Sequence, residues 1–186
     1  INPDVIDAMA SYFDYQRRWL ALAFGDVDGP AELIDSGRLE IVRAPGAHTG
    51  IPAASIDLIL SNSVIEHVLD LDELVAELAR IAAPGSVQYH FVDFSDHRVA
   101  PDRIATLYGH HPDEIRRLYR RRGLHVNMLR PSDVEAAFAR HFSVERTVFL
   151  ANAENPSVRS PAPWWAEHYD LDDLAIEVAA FNLTKG

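Results

Sequence analysis

Residues 51–97 read IPAASIDLILSNSVIEHVLDLDELVAELARIAAPGSVQYHFVDFSDH, and this stretch decides the fold. Ile56 to Leu60 is a short apolar run broken by one acid, Asp57, and it closes on Ser61, Asn62 and Ser63, as a buried parallel strand does at its carboxyl end. Downstream, Asp70 with Glu73 three residues on forms a capping box, and Leu71, Leu74, Val75, Leu78 and Ile81 recur along one helical face. Pro84 and Gly85 are expected to stop that helix, and Val87 to Val92 to form a second strand. The unit is therefore βαβ, whose right-handed crossover builds open parallel sheets with ligands at the carboxyl ends of the strands.

Working outward, Asn2-Pro3-Asp4 opens a helix whose apolar positions are Val5, Ile6, Met9, Phe13, Leu20 and Phe24. Gly29-Pro30 turns into a short helix, Ala31 to Asp35, and Leu39 to Val42 reads as a brief strand. Arg98 to His111 reads as an irregular excursion suited to a lid over the strand ends. A helix starts at Pro112, with Asp113 and Glu114 early and Arg116, Arg117, Arg120, Arg121 and Arg122 late, an order that complements the helix dipole. Its basic face is either solvated and held partly by Glu114, or a surface for an anionic substrate. Ser132 to His141 is a helix capped by Ser132 with Glu135, and Ser143 to Ala151 and Ala175 to Leu183 read as strands. Trp164 and Trp165 lie between those strands, as packing residues in preference to a substrate platform.

The sequence has 186 residues, a net charge of -11 and no cysteine. Its charge disfavours a nucleic-acid backbone or an anionic membrane as partner, and no apolar run reaches the roughly 20 residues a bilayer needs. Disulfide and thiolate chemistry are excluded. The expected protein is cytoplasmic, acts on a small molecule, and leaves its oligomeric state open.

The strand with its Ser-Asn-Ser exit, the run Val64-Ile65-Glu66-His67-Val68, Ala83-Pro84-Gly85 and the closing His90-Phe91-Val92-Asp93 with Asp96-His97 resemble the second half of a class I S-adenosylmethionine-dependent methyltransferase of type 11. The resemblance covers residues 39 to 97. It implies an α/β, Rossmann-like methyltransferase sheet with a C-terminal antiparallel hairpin and S-adenosyl-L-methionine as cofactor, its first two strands being absent from this chain. The expected organisation is one methyltransferase-like domain over 1–186, incomplete at its N-terminus: 1–38 helical, 39–97 the core β/α unit, 98–141 excursion and helices, 142–186 the terminal hairpin. No Gly-x-Gly loop is present.

By the same resemblance Ala47 and His48 fall where the family holds adenine, with Ala47 in place of an acid and His48 offering its backbone N–H. Ser61, Asn62 and Ser63 fall below the cofactor's methionine end, with His67 one turn later. His97, Asp93 and His67 are the candidate catalytic groups, His97 or Asp93 as general base. Glu66 and His67 are adjacent on a helix, so a mutual hydrogen bond is disfavoured. His90, Asp93 and His97 could ligate a metal only if the chain bent after Val92, because 90 and 93 face opposite sides of a strand, and no metal is expected. The activity implied is methyl transfer to an O or N nucleophile of a small molecule. The alternatives are a non-catalytic binding or interaction module of the same fold and, last, a nicotinamide-type Rossmann enzyme, which would not have the terminal hairpin.

Overall fold

The computed structural model describes residues 30–97, 107–121 and 123–186. The chain divides into two compact units, 1–43 and 44–186. In the first, helix α1 (Pro30–Asp35) ends in a left-handed Gly37, φ +69°, whose N–H donates to the Ile34 carbonyl at 3.0 Å. The helix expected from Asn2 lies outside the described residues. Leu39 to Val42 is not a strand: Ile41 is 61% exposed, and no ladder reaches this segment. Four residues of apolar alternation do not make a strand without a neighbour to bond.

The second unit is built on strands β1 (Ile56–Asn62), β2 (Ala82–Asp93), β3 (Ser143–Ala151) and β4 (Ile176–Thr184), in the spatial order β1-β2-β4-β3. β1 and β2 are parallel, and β4 runs antiparallel to both β2 and β3. This is the α/β sheet with a C-terminal antiparallel pair that the sequence implies. A 3-10 turn (Ile65–His67) and helix α2 (Leu71–Ile81) connect β1 to β2. Asp70 caps α2, its carboxylate accepting from the Glu73 N–H at 3.0 Å. Strand β2 starts at Ala82, earlier than expected, because Pro84 and Gly85 are accommodated in an irregularity: Ile56 pairs with Ala82 but Leu58 already with Val87. Gly85 sits there at φ +77°, a conformation that a side chain would strain.

The remaining helices are α3 (Pro112–Arg121), α4 (Pro131–Ala139), α5 (Pro156–Arg159), α6 (Pro163–His168) and α7 (Leu171–Ala175). Helix α4 starts one residue before the expected cap. Asp133 accepts from the Arg130 N–H at 2.8 Å, while Ser132 lies inside the helix and donates its N–H and hydroxyl to Asp173 at 3.0 and 2.7 Å. Glu135 pairs with Arg146 at 3.1 Å instead of closing a capping box. Glu114 faces His110 at 3.4 Å, and Asp113 is the carboxylate that holds an arginine, Arg116, at 3.0 Å.

One apolar core packs α2 and α4 against β2 and β4 through Leu78, Ile81, Val134, Phe138, Ala179 and Phe181. Leu58 and Leu60 remain 55% and 63% exposed, Leu58 paired with the exposed Val87. A second core joins Leu107, Tyr108, Ile115, Tyr119, Trp165 and Leu174. The described end of the expected excursion is thus core: the Tyr108 hydroxyl donates to the Leu174 carbonyl at 2.8 Å, and burial pushes it up to about 12. Trp165 is fully buried, its indole N–H donating to the His110 carbonyl at 2.7 Å, so the tryptophan pair is packing. Among the described residues no helix is long and apolar enough to cross a membrane.

Candidate functional site

At the carboxyl ends of β1 and β2 the chain makes two polar exits. After Asn62 the backbone turns through Ser63 at φ +52°, and the Ser63 N–H donates to the Phe91 carbonyl at 2.9 Å, tying the two exits together. The Ser63 hydroxyl donates to Asn62 Oδ1 at 3.1 Å, and both residues are exposed. Ser61 points the other way, its hydroxyl 2.8 Å from His90 Nδ1. Of the three residues, Asn62 and Ser63 face solvent and Ser61 serves the interior.

His90 is a structural histidine. It is 1% exposed, stacks on Phe138 with ring centres 5.0 Å apart, and has Nε2 at 3.0 Å from Gln88 Oε1. An amide oxygen only accepts, so Nε2 carries the proton and Nδ1 accepts from Ser61. Burial pushes the imidazole down to about 4. The strand alternation therefore separates His90 from Asp93 and His97, as the sequence requires.

The Asp93 carboxylate accepts the Ser95 N–H at 2.9 Å. His97 is held by its own N–H, which donates to the Tyr119 hydroxyl at 3.1 Å, while that hydroxyl donates to Asp96 at 3.0 Å. Its ring Nδ1 lies 3.0 Å from the Ser95 carbonyl. His67 reaches the same place from the 3-10 turn, its ring 5.2 Å from that of His97 and its Nδ1 2.6 Å from the His125 carbonyl.

The residue that sequence reasoning set aside is Glu66. It is 2% exposed, neither carboxylate oxygen makes a well-formed hydrogen bond, and burial raises its affinity for a proton more than the nearby backbone N–H groups of Glu66 and Asp93 lower it. One ligating atom from each of Glu66, His67 and His97 lies within 4.8 Å of the others. Adjacent residues do diverge, Glu66 inward and His67 outward, but the tight turn and the arrival of His97 bring their polar ends to one spot. An acid flanked by Val64, Ile65 and Val68 was the signal available in the sequence.

Asn127 holds this turn in place. Its side-chain amide donates to the Ile65 and Val68 carbonyls at 2.8 and 2.9 Å and accepts the Leu129 N–H at 3.0 Å. Its own N–H donates to the Glu66 carbonyl at 2.8 Å. Asn127→Ala should cost about 2 kcal/mol, three side-chain bonds being lost at a buried position. Urea unfolding measures it, and a change below about 0.5 kcal/mol would mean that the turn holds itself.

Ala47 and His48 lie in the loop that precedes β1. Ala47 offers no carboxylate, and the His48 N–H already donates to the Pro45 carbonyl at 2.9 Å, because the loop folds into a turn there. The nearby loop is instead fixed by Glu77, which accepts from Arg80 at 2.7 Å and from Thr49 at 2.5 Å; these bonds hold its carboxyl down at about 2. A groove of about 630 Å³ lies elsewhere, against Ser132, Glu135, Arg146, Tyr169 and Asp173, and shares no residue with the exits of β1 and β2. Its floor is already satisfied by Ser132–Asp173 bonding, so the polar exits are the better site.

Residues 12–89 match the model of a family described as a methyltransferase domain. No match is found among curated proteins. Among solved structures, a Galdieria sulphuraria protein assigned as a sarcosine dimethylglycine methyltransferase has 13% identity and a TM-score of 0.54 over 91% of this chain and 73% of its own. The geranyl diphosphate C-methyltransferase of Streptomyces coelicolor A3(2) has 10% identity and a TM-score of 0.52 over 84% of this chain and 56% of its own. Haemonchus contortus phosphoethanolamine N-methyltransferase 2 has 13% identity and a TM-score of 0.48, and the chain spans 36% of its length.

Proposed function

We propose that this chain, whose residues 12–89 match a methyltransferase-domain model and whose four-stranded sheet is similar to part of a class I methyltransferase sheet, takes part in methyl transfer from S-adenosyl-L-methionine to an O or N nucleophile of a small molecule. The observation that carries the reading is the solvent-facing Asn62-Ser63 turn at the carboxyl end of parallel β1, with Asp93 ending β2 and His67 and His97, their rings 5.2 Å apart, in the segments that follow the two strands. On the methionine side the residues fit the cofactor, since the exposed Asn62 and Ser63 offer small polar groups. On the adenine side they do not, because Ala47 lacks the acid and the His48 N–H is engaged.

When bound, S-adenosylmethionine supplies a methyl group already activated on a sulfonium. What remains for the protein is to orient the acceptor and remove its proton as the new bond to the methyl carbon forms and the carbon–sulfur bond breaks. Asp93, His67 or His97 takes that proton. Each imidazole donates Nδ1–H to a backbone carbonyl, so the lone pair sits on Nε2. An acceptor of small size is favoured by the net charge of -11, which repels polyanions.

The missing adenine contact favours the second reading, a non-catalytic module of the same fold. Calorimetric titration with S-adenosylhomocysteine separates them. Binding that Asn62→Leu weakens tenfold or more, about 1.4 kcal/mol, supports the enzyme reading. Unchanged affinity in the variant removes the Asn62-Ser63 assignment, and no binding by the parent chain moves the reading to the module.

A further inference from the structure

The geometry points to a divalent metal site formed by Glu66, His67 and His97, taking a first-row transition cation. Two imidazoles and one carboxylate are the donor set such ions accept while leaving coordination positions open. Three features of the cluster argue for a ligand in place of a self-contained network. Glu66 presents two buried oxygens with no well-formed hydrogen bond, only the backbone N–H groups of Glu66 and Asp93 lying near, and a buried carboxylate so weakly paired is costly unless a cation or proton neutralises it. His67 and His97 each have Nδ1 against a backbone carbonyl, at 2.6 and 3.0 Å, which fixes the tautomer with Nε2 as the free lone pair. Metal-bound histidines are oriented in this way by their other ring nitrogen. Third, the donors come from two separate exits, the 3-10 turn and the end of β2, each braced from outside, by Asn127 and by Tyr119.

The three ligating atoms lie within 4.8 Å of one another. Around one ion with bonds of about 2.1 Å they would stand roughly 3 to 3.5 Å apart. A shift of about 1 Å in each donor closes the difference, small enough to leave the Nδ1 bonds of His67 and His97 in place. His67 faces solvent, so the open positions remain accessible to an oxygen ligand from outside.

Resting on the methyl-transfer reading, this site also distributes the roles around it. With both Nε2 lone pairs on the cation, the acceptor's hydroxyl would bind the metal, which lowers its affinity for its proton. That proton would pass to Asp93, the one candidate base outside the ligand set, as the acceptor oxygen takes the methyl group and the carbon–sulfur bond breaks.

The test uses the metal alone. The chain, stripped with a chelator, is titrated with Co2+ and followed by calorimetry and by visible absorption, and separately with S-adenosylhomocysteine. One Co2+ per chain, with nitrogen-ligand d–d bands, is expected. Glu66→Gln and His97→Ala should each weaken it tenfold or more, and His110→Ala should leave it unchanged. Circular dichroism checks that each variant folds, and if Glu66→Gln does not, His97→Ala decides. Absence of Co2+ binding in the parent chain, or equal affinity in His97→Ala, overturns the site. Cobalt binding without S-adenosylhomocysteine binding keeps the metal and removes the methyl-transfer reading, and the reverse result removes only the metal.

Discussion

Replacing Arg130 with alanine is expected to lower the unfolding free energy by about 4 kcal/mol, roughly 2 kcal/mol for each of two buried carbonyls that lose a charged donor. The guanidinium is 2% exposed and donates to two carbonyls that close the ends of the sheet, Phe94 at 2.9 Å and Ile176 at 2.5 Å. It also lies over the rings of Phe94 and Tyr108, at 5.2 and 5.3 Å. Alanine leaves both carbonyls buried without a donor and opens a cavity between the two cores. Part of the loss is offset, since the wild-type side chain keeps its Nε without a partner. Arg130→Lys should recover little, because one ammonium does not span both acceptors. Urea denaturation decides, and a loss under about 1 kcal/mol would show that the carbonyls find other donors.

Acidification is expected to remove about 3 kcal/mol between pH 6.5 and 4 through His90 alone. Its folded-state value is depressed to about 4 from 6.5, so over that window the unfolded chain binds the proton and the folded one does not. The stability is whole above 6.5 and falls with pH until the folded imidazole also titrates. Glu77 acts in the same direction further down, from 4.5 towards 2, as Arg80 and Thr49 lose their acceptor. Glu66 opposes both, because a carboxyl raised by burial gains its proton first in the folded state. The His90→Gln variant keeps a polar side chain without the titration and should lose the slope between 6.5 and 4. A His90 ring resonance in the folded protein that titrates near 6.5 would refute the assignment.

The parts of the fold that were legible are those where one face is plainly apolar. β1, β3 and β4 follow from apolar runs and α2 from its helical repeat, with Asp70 at the capping position, although β1, read as a buried strand, leaves Leu58 and Leu60 exposed. The errors lie where a distant side chain decides. Ser132 looks like a cap until Asp173, from another helix, claims it, leaving Arg130 and Asp133 to start α4. Leu39 to Val42 has strand composition but no ladder. At the site, the exposure of Asn62 and Ser63 was readable from the strand's abrupt polar end, whereas Ser61's inward bond to His90 depends on strand register. Glu66 was hidden by a sound rule about neighbours on a helix, which does not anticipate a third residue arriving from β2.

The position of β4 carries a consequence for how the protein is made. Residues 176–184 pair with β2 on one side and β3 on the other, so β2 and β3 have no bond to each other. During synthesis both must wait, with Val92 and Phe138 lacking their Phe181 and Ala179 neighbours, until these nine residues have left the ribosome. A nascent chain stopped short of residue 176 has no centre to its sheet. Loss of this short segment therefore exposes two strand edges at once, and such fragments become targets for chaperones and proteases.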